Sequence, residues 1–328
     1  MSALLLTGCG PAGKAKASGN FEGKKIDLIV PFDPGGGYDQ YARQLAPALG
    51  KKLGAKILVI NKPGAGGLLA TNELWKAKPD GTEIALFNMT GHVGSALAQA
   101  EGVQYQAEKF SYIGRISSEP DLVVVKAGGK LNSFDDVKAV ASDKPVRFSA
   151  TGPGSNEYVG PLVLERTLNF KAELVTGYGG SNEALLGVVA GNVDAYSRSL
   201  SSQLPAINSG DCKPVLVIGA ERVKEFPDVP TVLEVADDTQ RALLETHTKL
   251  IESGRTLSGP PGMDPQLLEE LRKAFEEVVT DPAYQAEAEK AGRPVGFTSG
   301  ADVQSVVNEL MGSPKEYVDM LKQGFNGR

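Results

Sequence analysis

Residues that hold metals or form disulfides are scarce in this sequence. Its 328 residues include two cysteines, Cys9 and Cys212, two histidines, His92 and His247, and one tryptophan. The usual Cys/His zinc sites are therefore excluded, and a disulfide framework is not expected. We expect neither a metal nor a cofactor, and we interpret His247 and Cys212 as structural residues.

Basic charge and long apolar runs are scarce as well. The net charge of -6 argues against a nucleic-acid partner, because binding to phosphates favours a basic face. No run of about 18 apolar residues is present, so no membrane span is predicted. A chain of this length is long enough for two hydrophobic cores.

The most informative segment is IDLIVPFDPGGGYD, residues 26–39, in which an apolar strand precedes a proline-glycine turn and the start of a helix. The first amides of a helix lack partners and lie at the positive end of its dipole, so a glycine turn before them creates an anion site. A related segment, RFSATGPGSNE, covers residues 147–157. Two such segments predict two lobes that hold one small anion between them.

Strands and helices alternate from residue 21 onward. In the first part, strands are predicted at residues 26–32, 57–60 and 84–87, a helix at 68–76, and loops at 61–67 and 88–91. In the second part, strands are predicted at 123–125, 146–150, 172–175, 194–198 and 214–218, and helices at 157–167 and 181–190. Ser133 and Asp136 indicate a capping box. The C-terminal part is predicted to be mostly helical, with a short strand at 294–297. Such alternation is typical of parallel βαβ units, whose ligands bind at the carboxyl ends of the strands.

The N-terminal segment contains Leu6-Thr7-Gly8-Cys9, which resembles the cleavage box of bacterial lipoproteins. Its apolar part is about half the usual length and lacks a basic start, so a fortuitous apolar end is the alternative. We expect residues 1–20 to be a lipoprotein signal remnant and tether, with Cys9 as the lipidated residue. The nearby Gly13-Lys14 is not a nucleotide-binding loop, because Ala15 replaces the required Ser or Thr.

Signatures of catalysis are missing. No G-x-S-x-G elbow occurs, and PGGGYDQ lacks the third glycine of a dinucleotide-binding loop. We therefore predict a binding protein and not an enzyme. The alternatives are a sensor protein that docks on a membrane kinase and a carboxylate-processing enzyme.

Several motifs in register resemble a known family. VPFDPGGGYD, NKPGAGG and PDG follow one another between residues 30 and 81, and ATGPGSNE, VTGYGGSNEALLGVVAGNVDA and ERVKEFPDVPTVLE extend the match to about residue 236. This succession resembles the substrate-binding proteins of tripartite tricarboxylate transporters, the Bug receptors. Residues 246–265 match less well, because they lack the tryptophan-containing strand expected before the proline turn.

The resemblance implies an α/β protein of the two-lobe periplasmic-binding-protein type (Venus flytrap, type II) with two hinge strands. We expect lobe I at residues 21–121 and 228–328, and lobe II at residues 122–227. The resemblance further implies a monomeric periplasmic or surface receptor that binds a small carboxylate and delivers it to an integral-membrane permease. The implied ligand-binding residues are Gly35, Gly36, Gly37, Tyr38, Asp39, Ala65, Gly66, Gly67, Asn88 and Thr90 in lobe I, and Thr151, Gly152, Gly154, Ser155, Asn156 and Tyr178 in lobe II. The alternative for Asp39 is a first-turn carboxylate stabilised by the helix dipole.

Arg198 is a further candidate that this chain adds to the family pattern. Alternation along a strand places Asp194, Tyr196 and Arg198 on one face, with Arg198 at the carboxyl end. Most members of the family that the chain resembles have an uncharged or acidic residue there. A guanidinium at this place binds a carboxylate bidentately. The alternative is a solvent-facing arginine or a salt bridge to Asp194 or Glu183.

Overall fold

The computed structural model describes residues 20–326. The strands, in chain order, are β1 (Lys25–Val30), β2 (Lys56–Asn61), β3 (Glu83–Asn88), β4 (Ser111–Ser117), β5 (Asp121–Lys126), β6 (Val146–Ser149), β7 (Ala172–Val175), β8 (Ala195–Ser199), β9 (Cys212–Ile218), β10 (Arg255–Gly259) and β11 (Thr298–Ser299). The α-helices are α1 (Gly37–Leu53), α2 (Leu68–Lys76), α3 (Met89–Ala98), α4 (Phe134–Asp143), α5 (Asn156–Thr167), α6 (Ser181–Val189), α7 (Leu200–Asn208), α8 (Val232–Val235), α9 (Arg241–Glu252), α10 (Pro265–Val279), α11 (Pro282–Lys290), α12 (Gly300–Met311) and α13 (Lys315–Asn326).

Two sheets form the framework, as an α/β protein with two lobes requires. The first has strand order β11-β4-β10-β3-β1-β2, and the second has strand order β7-β6-β8-β5-β9. In the first sheet β1 pairs in parallel with β2 and β3, and in the second β6 pairs in parallel with β7 and β8. The loops that follow β1, β2, β6 and β7 therefore lie at carboxyl ends of parallel strands, where βαβ units bind ligands.

The chain passes between the sheets twice. It leaves the first sheet after Ser117 and enters the second at Asp121, and after β9 it returns through α8 and α9 to β10. The largest hydrophobic cluster is continuous across the two halves and includes Val93 and Val123. The exact lobe bounds given above stay a prediction. Within residues 20–326, no helix combines the length and apolar character needed to cross a membrane.

Local sequence signals account for several of the elements. The predicted helix at residues 68–76 and the predicted strand at 172–175 agree with α2 and β7. Ser133 and Asp136 form the expected capping box at the start of α4. Each of these signals depends only on neighbouring residues, which is why the sequence reveals it.

Three local predictions are wrong. Residues 88–91 are not a loop, because Asn88 caps α3 by accepting a hydrogen bond from the Gly91 amide at 3.3 Å. Residues 294–297 form no strand, and β11 comes directly after them. Asp194 lies outside β8, because its carboxylate accepts the Arg147 amide at 2.9 Å and pairs with the Arg147 side chain.

Candidate functional site

Loops from the two sheets meet in an interlobe cleft. The Gly154 amide donates a hydrogen bond to the Ala65 carbonyl at 3.0 Å, and Asn182 Nδ2 donates to the Gly35 carbonyl at 3.2 Å. Each pair joins a loop of the first sheet to a loop or helix start of the second. The structure thus places the loops after β1 and β2 against the segments that follow β6 and β7.

A cavity of about 240 Å³ lies in this cleft. We call it the cleft cavity, and it is lined by Pro31, Phe32, Pro63, Gly64, Ala65 and Gly66 from the first sheet and by Thr151, Gly177, Tyr178 and Gly179 from the second. Four of these residues, Ala65, Gly66, Thr151 and Tyr178, are predicted ligand-binding residues. None of the ten lining residues is Lys, Arg or His. A larger groove of about 460 Å³, next to the segments that connect the two sheets, is lined by none of the predicted residues.

Glycine is required where the two loops touch. Gly66 has φ 69° and Gly152 has φ 146°, conformations that side chains other than glycine rarely adopt. A β carbon added at Gly152 would lie 2.7 Å from the Ala65 carbonyl carbon. Close approach of the two main chains therefore depends on these positions, and Gly67 and Gly154 pack beside them.

The first glycine loop is held by Asp39. This carboxylate is only 3% exposed, and it accepts hydrogen bonds from the Gly35 amide at 2.9 Å, Arg43 Nε at 2.8 Å and Asn61 Nδ2 at 2.9 Å. Burial alone would raise the pKa of Asp39, but these donors lower it. Asp39 thus organises the turn before α1, as its position in the first helical turn allows. Gly36 and Gly37, which follow Gly35, lie against Ser181 and Ser202 of the second half of the chain and do not line the cleft cavity.

A row of hydrogen-bonded side chains crosses the cleft beneath the loops. Asn88 Nδ2 donates to Asn156 Oδ1 at 2.9 Å, and Asn156 Nδ2 donates to both oxygens of Asp121, at 3.0 and 2.8 Å. Thr90 and Tyr38 line a small space of about 10 Å³ beside these hydrogen-bonded side chains. Ser155 precedes α5, but its hydroxyl donates to the Gly152 carbonyl at 2.8 Å and does not cap the helix. These predicted residues therefore link the halves of the protein.

Arg198 does not form the salt bridges considered above. The residue is 0% exposed, and it pairs with Glu157 of α5 instead of Asp194 or Glu183. The guanidinium carbon lies 4.9 Å from the ring centre of Phe32 and 5.2 Å from that of Tyr38. Arg198 is therefore buried between the two halves of the chain.

Arg255 is a buried cleft residue that sequence reasoning missed. It lies in β10, is 1% exposed, and pairs with Glu119. Its guanidinium carbon lies 5.0 Å from the ring centre of Tyr38, so Tyr38 contacts two arginines. The sequence signal was a single arginine in the short segment RTLSG between Gly254 and the proline turn. This strand takes the place of the tryptophan-containing strand that was expected there.

The two histidines and the acidic residues form no metal site. Among residues 20–326, no three His, Cys, Asp or Glu side chains come together as a metal ion requires. His92 is buried in α3, where its Nε2 lies 3.1 Å from Tyr112 Oη, and burial lowers its pKa to about 3. His247 is also buried, with Nδ1 3.0 Å from Tyr317 Oη. Both histidines are neutral packing residues at neutral pH.

Comparisons with known proteins agree with this arrangement. Residues 41–318 match the model of the tripartite tricarboxylate transporter family receptor. BugT of Bordetella pertussis is 25% identical over 295 residues, which cover 88% of this chain and 87% of BugT.

Two solved structures show the same fold. The periplasmic binding protein BugD has a TM-score of 0.76 at 22% identity, over 92% of this chain and 97% of its own. MatC of Rhodopseudomonas palustris, solved with bound malate, has a TM-score of 0.78 at 22% identity, over 91% of this chain and 99% of its own. The chain thus has the fold of a periplasmic binding protein. The chain belongs to the tripartite tricarboxylate transporter receptor family.

Proposed function

We propose that this protein is an extracytoplasmic receptor that binds a small carboxylate in the cleft cavity and delivers it to the permease of a tripartite transporter. The observation that carries the proposal is the meeting of loops from two sheets around a cavity of about 240 Å³. Family membership supports the receptor role, and the malate bound by MatC supports a carboxylate ligand. Lobe I at residues 21–121 and 228–328 and lobe II at 122–227 close around the ligand.

Main-chain groups and not basic side chains hold the anion in this proposal. The lining residues of the cleft cavity carry no cation, whereas glycine-rich turns at strand and helix ends expose amides. Gly64, Ala65 and Gly66 act from one side of the cleft cavity, and Gly177 and Tyr178 act from the other. The protein works in the periplasm or at the cell surface as a monomer anchored through Cys9, which lies outside the described residues.

Isothermal titration with malate, adipate and citrate tests the proposal. We expect near 1:1 binding of at least one of these acids, with a rise in melting temperature that grows with ligand concentration, because binding to the folded state alone stabilises it. Gly66→Val is the variant that should weaken binding, since a β carbon there would clash with the Gly152 carbonyl oxygen and would force the two loops apart. Absence of binding across a broad carboxylate panel, with the protein folded, would contradict the proposal.

A further inference from the structure

One buried ion pair lies directly behind the cleft cavity. Arg198 of β8 and Glu157 of α5 are both 0% exposed. Charges buried this deeply lose their hydration, and close contacts with protein groups must offset that loss. The contacts of these two side chains therefore show what the pair holds in place.

Glu157 is satisfied by four donors. Its Oε1 accepts the hydroxyl of Tyr196 at 2.8 Å and the guanidinium of Arg198. Its Oε2 accepts both the amide of Thr151, at 2.9 Å, and the hydroxyl of Thr151, at 2.6 Å. Thr151 is a wall of the cleft cavity. Because Glu157 takes both of its hydrogens, Thr151 has no donor left for an anionic ligand.

Arg198 reaches the opposite wall of the same cavity. Its guanidinium lies on the ring of Phe32, which follows β1 in the first sheet and lines the cleft cavity. Within residues 20–326, its Nε and Nη2 have no hydrogen-bond partner. Glu157 and the rings of Phe32 and Tyr38 are thus the described groups that hold the cation, and a cation over an aromatic face is attracted to it.

We propose that Arg198 and Glu157 are positioning residues for ligand binding. The pair fixes Thr151 through Glu157 and meets Phe32 through Arg198, so it sets the distance between two walls of the cleft cavity that belong to different lobes. This inference rests on the proposed function, because it assumes that the cleft cavity is the ligand site. In this proposal Arg198 positions the cavity walls and does not itself bind the ligand.

The test compares two double variants. Arg198→Met with Glu157→Gln removes both charges while keeping similar volumes, which a buried pair tolerates better than loss of one partner. The control is Arg147→Met with Asp194→Asn, which removes a partly exposed pair between β6 and the residue before β8. Hydrogen–deuterium exchange of residues 150–156 and affinity for malate, adipate and citrate are measured for both.

We expect the first variant to exchange the Thr151 amide about fivefold faster, since about 1 kcal/mol of local hydrogen bonding is lost. Affinity for whichever acid binds the wild type should fall by about tenfold or more. The control should change neither quantity. If the first variant does not fold, Thr151→Val supplies the test, because it removes only the hydroxyl bond to Glu157 and should weaken affinity by about threefold.

Unchanged exchange at residues 150–156 in the folded double variant would overturn the proposal. Faster exchange with unchanged affinity would overturn it too, because the pair would then be structural only. Failure of the proposed function gives a different result, namely a wild type that binds none of the acids. In that case the exchange measurement still decides whether the pair holds Thr151.

Discussion

Arg255 offers a sharp test of how the two halves of the chain are joined. Its Nη1 donates to Ser117 Oγ at 3.1 Å and to Glu119, and its Nη2 donates to Ser202 Oγ at 3.2 Å. Its guanidinium also lies 4.6 Å from the ring centre of Tyr41. Burial alone would lower the pKa of Arg255, but the negative charge of Glu119 raises it. Arg255→Met removes the cation from this site.

The expected loss follows from what remains around Glu119. Breaking a buried ion pair by removing one partner costs about 3 to 5 kcal/mol, because a charge is left without compensation. Glu119 keeps two donors, the amide and the hydroxyl of Ser201, so we expect the lower end, about 3 kcal/mol. Glu119→Gln added to Arg255→Met should restore most of this loss, since no buried charge is then left.

Urea unfolding followed by circular dichroism measures these changes. The control is Arg222→Met, which breaks an exposed pair with Glu234 and should have a much smaller effect, because solvent screens such pairs. Arg255→Met as mild as the control would refute the reasoning. A double variant less stable than Arg255→Met would also contradict it, because the stranded charge would then not be the cause.

Three further predictions concern pH, the first loop and closure. Burial raises the pKa of Asp121 to about 6, so the folded state binds a proton more tightly than the unfolded state. The stability of the wild type relative to Asp121→Asn should therefore fall by up to about 3 kcal/mol as pH rises from about 4 to about 6, and a difference independent of pH in thermal melts would contradict this. Gly36→Val places a β carbon 2.7 Å from Ser181 Oγ, while Gly36 has φ -74°, which valine adopts. We therefore expect weaker carboxylate binding with folding retained. Normal affinity would remove the first loop from the site. Ligand binding should reduce the radius of gyration in X-ray scattering, because loops of both lobes must contact the ligand, and an unchanged radius at saturation would count against closure.

The glycine loops were predictable because their signals are local. A strand, a glycine turn and a helix start follow one another within residues 26–39 and again within 147–157, and each pattern depends only on neighbours. The loops' convergence followed from the rule that parallel strands gather ligands at their carboxyl ends. The cavity residues Ala65, Gly66, Thr151 and Tyr178 were named from the resemblance to the Bug receptors and not from these local patterns.

The buried charges were not predictable for a physical reason. Arg198 and Glu157 are 41 residues apart, and Arg255 and Glu119 are 136 apart, so no local pattern pairs them. The helix α3 was missed because MTGHVGSALA is buried on nearly all sides and lacks a polar stripe. Because neither α3 nor β10 was predicted, no local signal placed Arg255 beside Tyr38.

Charged and uncharged groups have different roles in this cleft. Arg198 is paired with Glu157, Arg255 with Glu119, and Asp121 with Asn156, while the cleft cavity has no basic lining residue. An anion in the cavity therefore contacts main chain and uncharged side chains, whose arrangement selects among carboxylates by shape. The ion pairs instead fix the relative position of the cavity walls. This position is the same for every ligand. Variants of Arg198 with Glu157 should consequently weaken different carboxylates by the same factor, whereas Gly66→Val should change their order of affinity. A change in that order caused by the Arg198 and Glu157 variant would show that the pair itself distinguishes one carboxylate from another.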